Sequence, residues 1–143
     1  MLRLAWPVLW LGLTLAAAPV RGQAAPPRVE LRESDPNPVI STTTIGFVLH
    51  AEVCAKGHVP TVSLQIYNVL VQVVAVPVLV VAQGRDRPLI DLKLPCGTYV
   101  AEWDGRLQDG RLAQTGVYYS QLIVDGQRYT QKLIVQRSSS GAT

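Results

Sequence analysis

The sequence predicts an all-β chain folded as an immunoglobulin-like sandwich of seven to eight antiparallel strands, on three observations. Runs of five to nine residues alternate apolar and polar side chains, which is the two-residue period of a half-buried strand. Turn signals of Gly, Pro, Asn and Asp separate these runs about every eight to twelve residues. No stretch outside the extreme N-terminus has a helical period. The pattern is clearest over 97–124, GTYVAEWDGRLQDGRLAQTGVYYSQLIV. There Tyr99, Ala101 and Trp103 share one face, Tyr118, Ser120, Leu122 and Val124 share another, and Asp104-Gly105, Asp109-Gly110 and Gly116 mark the connection between them.

The N-terminal stretch is of a different kind. Arg3 precedes a mostly apolar run from Leu4 to Val20, and Arg21-Gly22-Gln23-Ala24 follows. A basic start, a short apolar core and small residues after it predict a secretory signal peptide over 1–22. Val20 and Gly22 suit the −3 and −1 positions of a cut after Gly22, with a site near Ala24 or Ala25 as the alternative. The run falls short of the roughly 20 apolar residues that span a bilayer, so no stable membrane anchor is expected after cleavage. Loss of Arg3 and Arg21 lowers the net charge from +3 to +1. The remaining Lys and Arg are scattered, which speaks against a nucleic-acid partner.

The expected organisation is a disordered leader over 23–27, one domain over 28–137 and a flexible Ser/Gly tail over 138–143. In the domain, Val29 and Leu31 mark a first edge strand, which Asp35-Pro36-Asn37-Pro38 ends, since proline lacks an amide donor and restricts the residue before it. Ser41 to Glu52 forms the second strand, with Ile45, Phe47 and Leu49 inward. Thr61 to Tyr67 forms the third, with Val62, Leu64 and Ile66 inward, and a hairpin across Cys54 to Pro60 is expected to join the two.

Val69 to Ala82, VLVQVVAVPVLVVA, loses the alternation. About 14 residues with many Val and an internal Pro77 are too short and too β-branched for a membrane helix. A strand pair or bent strand is expected, with Pro77 at an edge or bulge. Val73, Ala75, Leu79 and Val81 are its candidate interaction edge, an apolar ribbon that a partner strand could pair with. Gln83 to Pro88 is a charged turn, and Leu89 to Leu94 a strand with Ile90, Leu92 and Leu94 inward. Asp125-Gly126 turns the chain into a last strand over Tyr129 to Val135.

Cys54 and Cys96 are the only cysteines. In an exported chain they either form a disulfide or stay as two free thiols; a bridge closing about 40 residues is worth roughly 3–5 kcal/mol in the chain-entropy account. With His50 and His58 the same residues could make a tetrahedral soft-metal site, but the tight Cys-x-x-Cys spacing of zinc motifs is missing. Asp104 and Asp109 supply two carboxylates, fewer than a calcium site needs. Trp103, Asp104, Gly105, Gly110, Gly116 and Tyr118 are expected as framework, with Trp103 in the core and Asp104 accepting amides of its own turn. Nucleophilic catalysis needs a Ser or Cys with a positioned His and acid, and nothing in the sequence assembles one. No enzyme activity and no cofactor are expected.

Several segments resemble the FlgD Ig-like domain family: Asn37-Pro38, Thr43-Thr44-Ile45, Ile66-Tyr67-Asn68, Gly97-Thr98-Tyr99, Trp103-Asp104-Gly105-Arg106, Asp109-Gly110-Arg111, Gly116 to Tyr119 and Lys132 to Val135. That family is similar to the C-terminal sorting domains of type IX secretion cargo, and its shared residues are framework. Val71 stands where the family usually carries Gly, which predicts a different turn there. The resemblance and the expected export imply a protein-interaction or assembly module at the bacterial cell envelope, secreted or periplasmic, whose partner is another envelope or secreted protein. The alternative is an orphan type IX-like sorting domain.

Overall fold

The computed structural model describes residues 27–82 and 86–139, and ahead of them residues 7, 12–19, 22 and 25. Most of the expected signal peptide and leader, residues 83–85 at the start of the Gln83 to Pro88 turn, and residues 140–143 of the expected tail lie outside the described residues. Ten strands follow one another: β1 (Val29–Asp35), β2 (Thr43–Leu49), β3 (Thr61–Tyr67), β4 (Val73–Ala75), β5 (Val78–Leu79), β6 (Arg87–Pro88), β7 (Leu92–Lys93), β8 (Gly97–Trp103), β9 (Gly116–Val124) and β10 (Gln127–Val135). They form two antiparallel sheets. The first has the order β1-β2-β8-β5-β6, and the second β10-β9-β3-β4, with β7 also paired to β3. The main strands thus follow the neighbour order of an immunoglobulin-type sandwich.

The alternation decides the layers. Ile45, Phe47 and Leu49 of β2, Ala101 and Trp103 of β8, Val62, Leu64 and Ile66 of β3, Leu122 and Val124 of β9, and Leu133 and Val135 of β10 are all buried between the sheets. Phe47 stacks on Tyr99, its direct cross-strand partner, at 5.3 Å between ring centroids. Asp125 and Gly126, both at positive φ, close the β9–β10 hairpin as a two-residue turn.

Three expectations are corrected. The Cys54 to Pro60 connection is not a hairpin: β2 lies in the first sheet and β3 in the second, so the chain crosses the sandwich there. It does so through a 3₁₀ segment, Ala51–Gly57, where no helix was expected. The strand over Leu89 to Leu94 is interrupted. Asp91 turns at φ 47°, Leu89 takes the inward place, and Ile90 is 54% exposed. The number of strands rises because the apolar stretch after Tyr67 is divided between sheets: β4 pairs with β3, β5 pairs with β8, and Val76-Pro77 carries the chain across. Pro77 is buried at this corner, and its carbonyl accepts the Leu89 amide at 3.0 Å. Switching one strand between sheets is a recognised way to make a sandwich corner.

Candidate functional site

The turn between β3 and β4 is built by Asn68. Its side-chain oxygen accepts the amides of Leu70 and Gln72, both at 3.0 Å, and its side-chain nitrogen donates to Gln72 Oε1 at 2.9 Å. The Asn68 amide donates to the Gln72 carbonyl, and the Val71 amide donates back to Asn68. Most polar groups of the turn are thus satisfied within it, while its aliphatic side chains face water: Val69 is 65%, Leu70 72% and Val71 78% exposed. Val71 sits at φ 60°, a left-handed conformation unfavourable for a β-branched residue. Val71 thus takes the left-handed conformation that glycine adopts freely. Val71→Gly is expected to raise stability by about 1 kcal/mol, net of the backbone entropy that glycine adds to the unfolded chain, and a thermal melt checks it.

Beneath the turn lies a trough of about 240 Å³ on the outer face of the second sheet. Val69 and Val71 form one wall, Tyr67 and Tyr119 the floor, and Gln121, Arg128 and Thr130 the far side. Tyr67 and Tyr119 are direct cross-strand partners, as are Gln65 and Gln121. The polar groups are pre-oriented: Tyr67 donates to Gln65 at 2.6 Å, and Arg128 donates to Gln121 at 2.9 Å. Charge is divided between the sheets. Glu30, Glu33, Asp35 and Glu102 lie on strands of the first, together with Arg32 and Arg87, whereas the strands of the second carry Lys93, Arg128 and Lys132 and no carboxylate.

The structure divides the four residues of the expected interaction edge. Ala75 and Leu79 are 3% and 4% exposed and belong to the core, Val81 is half-buried, and only Val73, at 36%, borders solvent. The backbone of β4 is not open either, because the Val74 carbonyl accepts the Gln108 amide at 2.8 Å. The apolar ribbon is a sheet-switching core element, and its most exposed part lies earlier, in the turn, with Val80 at 42% the one other exposed valine after Val73. Leu79→Ala is expected to cost about 2 kcal/mol and Val73→Ala less than about 0.5 kcal/mol, by chemical unfolding.

Cys54 and Cys96 are bonded to each other, with Cα atoms 6.0 Å apart. The histidines lie apart in use: His58 donates to Asp125 Oδ2 at 2.7 Å, and His50 lies 3.5 Å from Glu30. Asp125 also accepts the Thr61 amide, and that bond first, then His58, holds its carboxyl below the usual range. A depressed carboxylate contributes stability that is present above its unfolded pKa and lost as pH falls through the folded one. Acid unfolding of the wild type should therefore show a term below about pH 4 that Asp125→Asn lacks; melts from pH 7 to pH 2 read it.

The opposite end of the sandwich from His58 carries the Trp-Asp-Gly segment. Trp103 is buried, and its indole N–H donates to the Arg106 carbonyl at 2.9 Å. Asp104 accepts the Arg106 amide, and Asp109 accepts both the amide and the guanidinium of Arg111. Gly105 and Gly110 are at positive φ, Gly116 begins β9, and Tyr118 donates to the Gln114 carbonyl while packing against Trp103. These residues hold one another. Sequence reasoning missed Arg137, at the very end of the predicted domain, which donates from its guanidinium to the carbonyls of Ile40, Gly105 and Ala113.

No family model and no curated protein matches the chain, so the FlgD resemblance rests on the residues given above. Among solved structures the chain is similar to dimeric latent PorU from Porphyromonas gingivalis, with a TM-score of 0.52 and 18% identity over 77% of this chain and 9% of that one. The likeness shows the fold, and the chain spans less than a tenth of PorU. No helix among the described residues is long and apolar enough to cross a membrane, and the disulfide fits an oxidising compartment.

Proposed function

We propose that this protein is a non-enzymatic, exported immunoglobulin-like module that binds another envelope or secreted protein at the bacterial cell envelope. The carrying observation is the Val69-Leu70-Val71 turn, three contiguous exposed aliphatic side chains on a hydrogen-bonded and backbone-strained support. Such a patch on a small domain marks a contact surface. The non-enzymatic reading is supported by how the reactive side chains are occupied: both cysteines in the bridge, His58 with Asp125, Asp104 and Asp109 with their own loops. A photo-crosslinking residue at Leu70, in the native host, should give one discrete adduct in the envelope fraction, and the same residue at Thr98 on the first sheet should not. Equal, diffuse labelling at both positions would remove the reading.

A second reading, a type IX-like sorting domain, is favoured by the FlgD-type segments, and the likeness of fold to part of PorU is compatible with it. Fused behind a reporter in a type IX-competent bacterium, the domain would then direct export and be removed from the released reporter. A reporter retained in the cell with the domain attached would count against it.

A further inference from the structure

The trough beneath the 68–72 turn is shaped for one kind of occupant. It is lined mainly by apolar surface from Val69, Val71, Tyr67 and Tyr119, yet Arg128 stands on its far side, and Lys132 follows four residues on, beyond Thr130, along the same face of β10. No carboxylate lies on any strand of that sheet, although the first sheet carries four. A volume of about 240 Å³ matches a single side chain with its neighbouring backbone. A bilayer would instead be met by a convex apex, and here two of the three exposed aliphatics face the trough, leaving Leu70 alone outside it.

We propose that this trough takes an extended acidic segment of a partner protein, in which an apolar or aromatic side chain seats on Tyr67 and Tyr119 while an adjacent carboxylate pairs with Arg128. The pairing is charge-assisted: Arg128 spends one N–H on Gln121, and the guanidinium has further donors for a carboxylate. The aromatic floor and aliphatic wall supply the apolar contact, and the carboxylates bonded to this sheet, Asp91 on Ser63 and Asp125 on Thr61, lie at the other end of β3 from Tyr67, so none borders the trough to repel an anion. This identifies the partner chemistry of the contact surface proposed above and rests on that reading.

The test uses the full chain, purified as the host secretes it, and a fluorescein-labelled random copolymer of glutamate and tyrosine (4:1) followed by anisotropy. The expected result is saturable binding that Arg128→Glu weakens about tenfold and Val69→Ser about threefold, while Lys93→Glu, the same charge change at the far end of that sheet, leaves it within twofold. Arg128→Gln serves if the glutamate variant fails to fold. Polyglutamate without tyrosine should bind at least fivefold more weakly, since the trough needs both components. The proposal is overturned if the wild type does not bind the copolymer, if Arg128→Glu and Arg128→Gln bind as tightly as the wild type, if polyglutamate binds equally well, or if phosphatidylglycerol vesicles capture the protein better than the copolymer does. A discrete Leu70 adduct in the host together with no copolymer binding would sink this inference and leave the interaction-module reading standing; loss of both would remove the two together.

Discussion

Replacing Cys54 and Cys96 together by serine is expected to lower the unfolding free energy by about 4 kcal/mol. The two residues are 42 apart in sequence, and the loop they close holds β3 to β7, which pass from the second sheet to the first and back. The folded structure already places the ends together, because Leu49 and Gly97 are direct partners of the β2–β8 pair and the 3₁₀ segment folds Cys54 back toward Cys96. The bridge therefore acts mainly on the unfolded chain, by denying it the conformations in which those ends part. For a domain whose total stability is of the order of 5–15 kcal/mol, that is a large share. Urea unfolding of the double variant should show a lower midpoint and a steeper slope, since the unbridged chain exposes more surface. A loss below about 1 kcal/mol would mean that the reduced ensemble keeps this loop closed by other contacts.

The strands most legible in the sequence were those with one wet and one dry face. Thr43 to Leu49, Thr61 to Tyr67, Gly97 to Trp103 and Gly116 to Val124 each alternate along the strand, and the structure buries the expected set, with Val48 and Ser63 covered as well on the other face. Between Val69 and Ala82 the same rule had nothing to work on. A strand that leaves one sheet and enters the other buries Ala75 from one side of the corner and Leu79 from the other, so the run is apolar throughout and its division is decided by pairing with β3 and β8. Ile90 was misplaced for a related reason. A period of two assumes continuous extended backbone, and the left-handed turn at Asp91 breaks it, leaving Leu89 and Leu92 inside and Ile90 outside. The seven residues from Cys54 to Pro60 suit a hairpin or a crossing equally, and the choice lies in distant partners.

The candidate site was legible only in part. Apolar character near Val69 was visible, but its exposed portion was assigned to the ribbon and not to the turn, because the role of Asn68 depends on side-chain bonds to Leu70 and Gln72 that composition does not reveal. The division of charge was written in the sequence yet unreadable there. Glu30 and Glu102 are 72 positions apart, and only the strand order shows that they share a sheet from which Arg128 and Lys132 are absent.

Arg137→Met is expected to cost about 3–4 kcal/mol, an effect unlike that of any tail residue. The guanidinium ties together three segments: it donates to Ile40 before β2, to Gly105 after β8, and to Ala113 ahead of β9, at 2.7 Å and 2.9 Å for the last two. The Arg137 amide adds a bond to Thr115 Oγ1 at 2.9 Å. Gly105 retains the Ala113 amide as a second partner, but the buried Ala113 carbonyl has no other donor among the bonds of this loop, so its loss carries a desolvation cost. The same junction explains why glycine stands at 105. Its φ is 72°, and a Cβ there would collide with the Ser41 carbonyl oxygen and lie 2.7 Å from the Arg137 guanidinium. The Trp-Asp-Gly segment thus leaves an opening that the end of the chain fills. Arg137→Lys, with one point charge in place of a planar fork, should recover no more than about a third of the loss. Hydrogen exchange supplies the local readout: the amides of Leu107 and Ala113, bonded within this loop, should exchange faster in Arg137→Met while those of Leu122 and Leu133 keep their protection in proportion to global stability. If the variant melts within 1 kcal/mol of the wild type and the loop amides are unchanged, the loop is held by Trp103 and Tyr118, and Arg137 adds nothing to it.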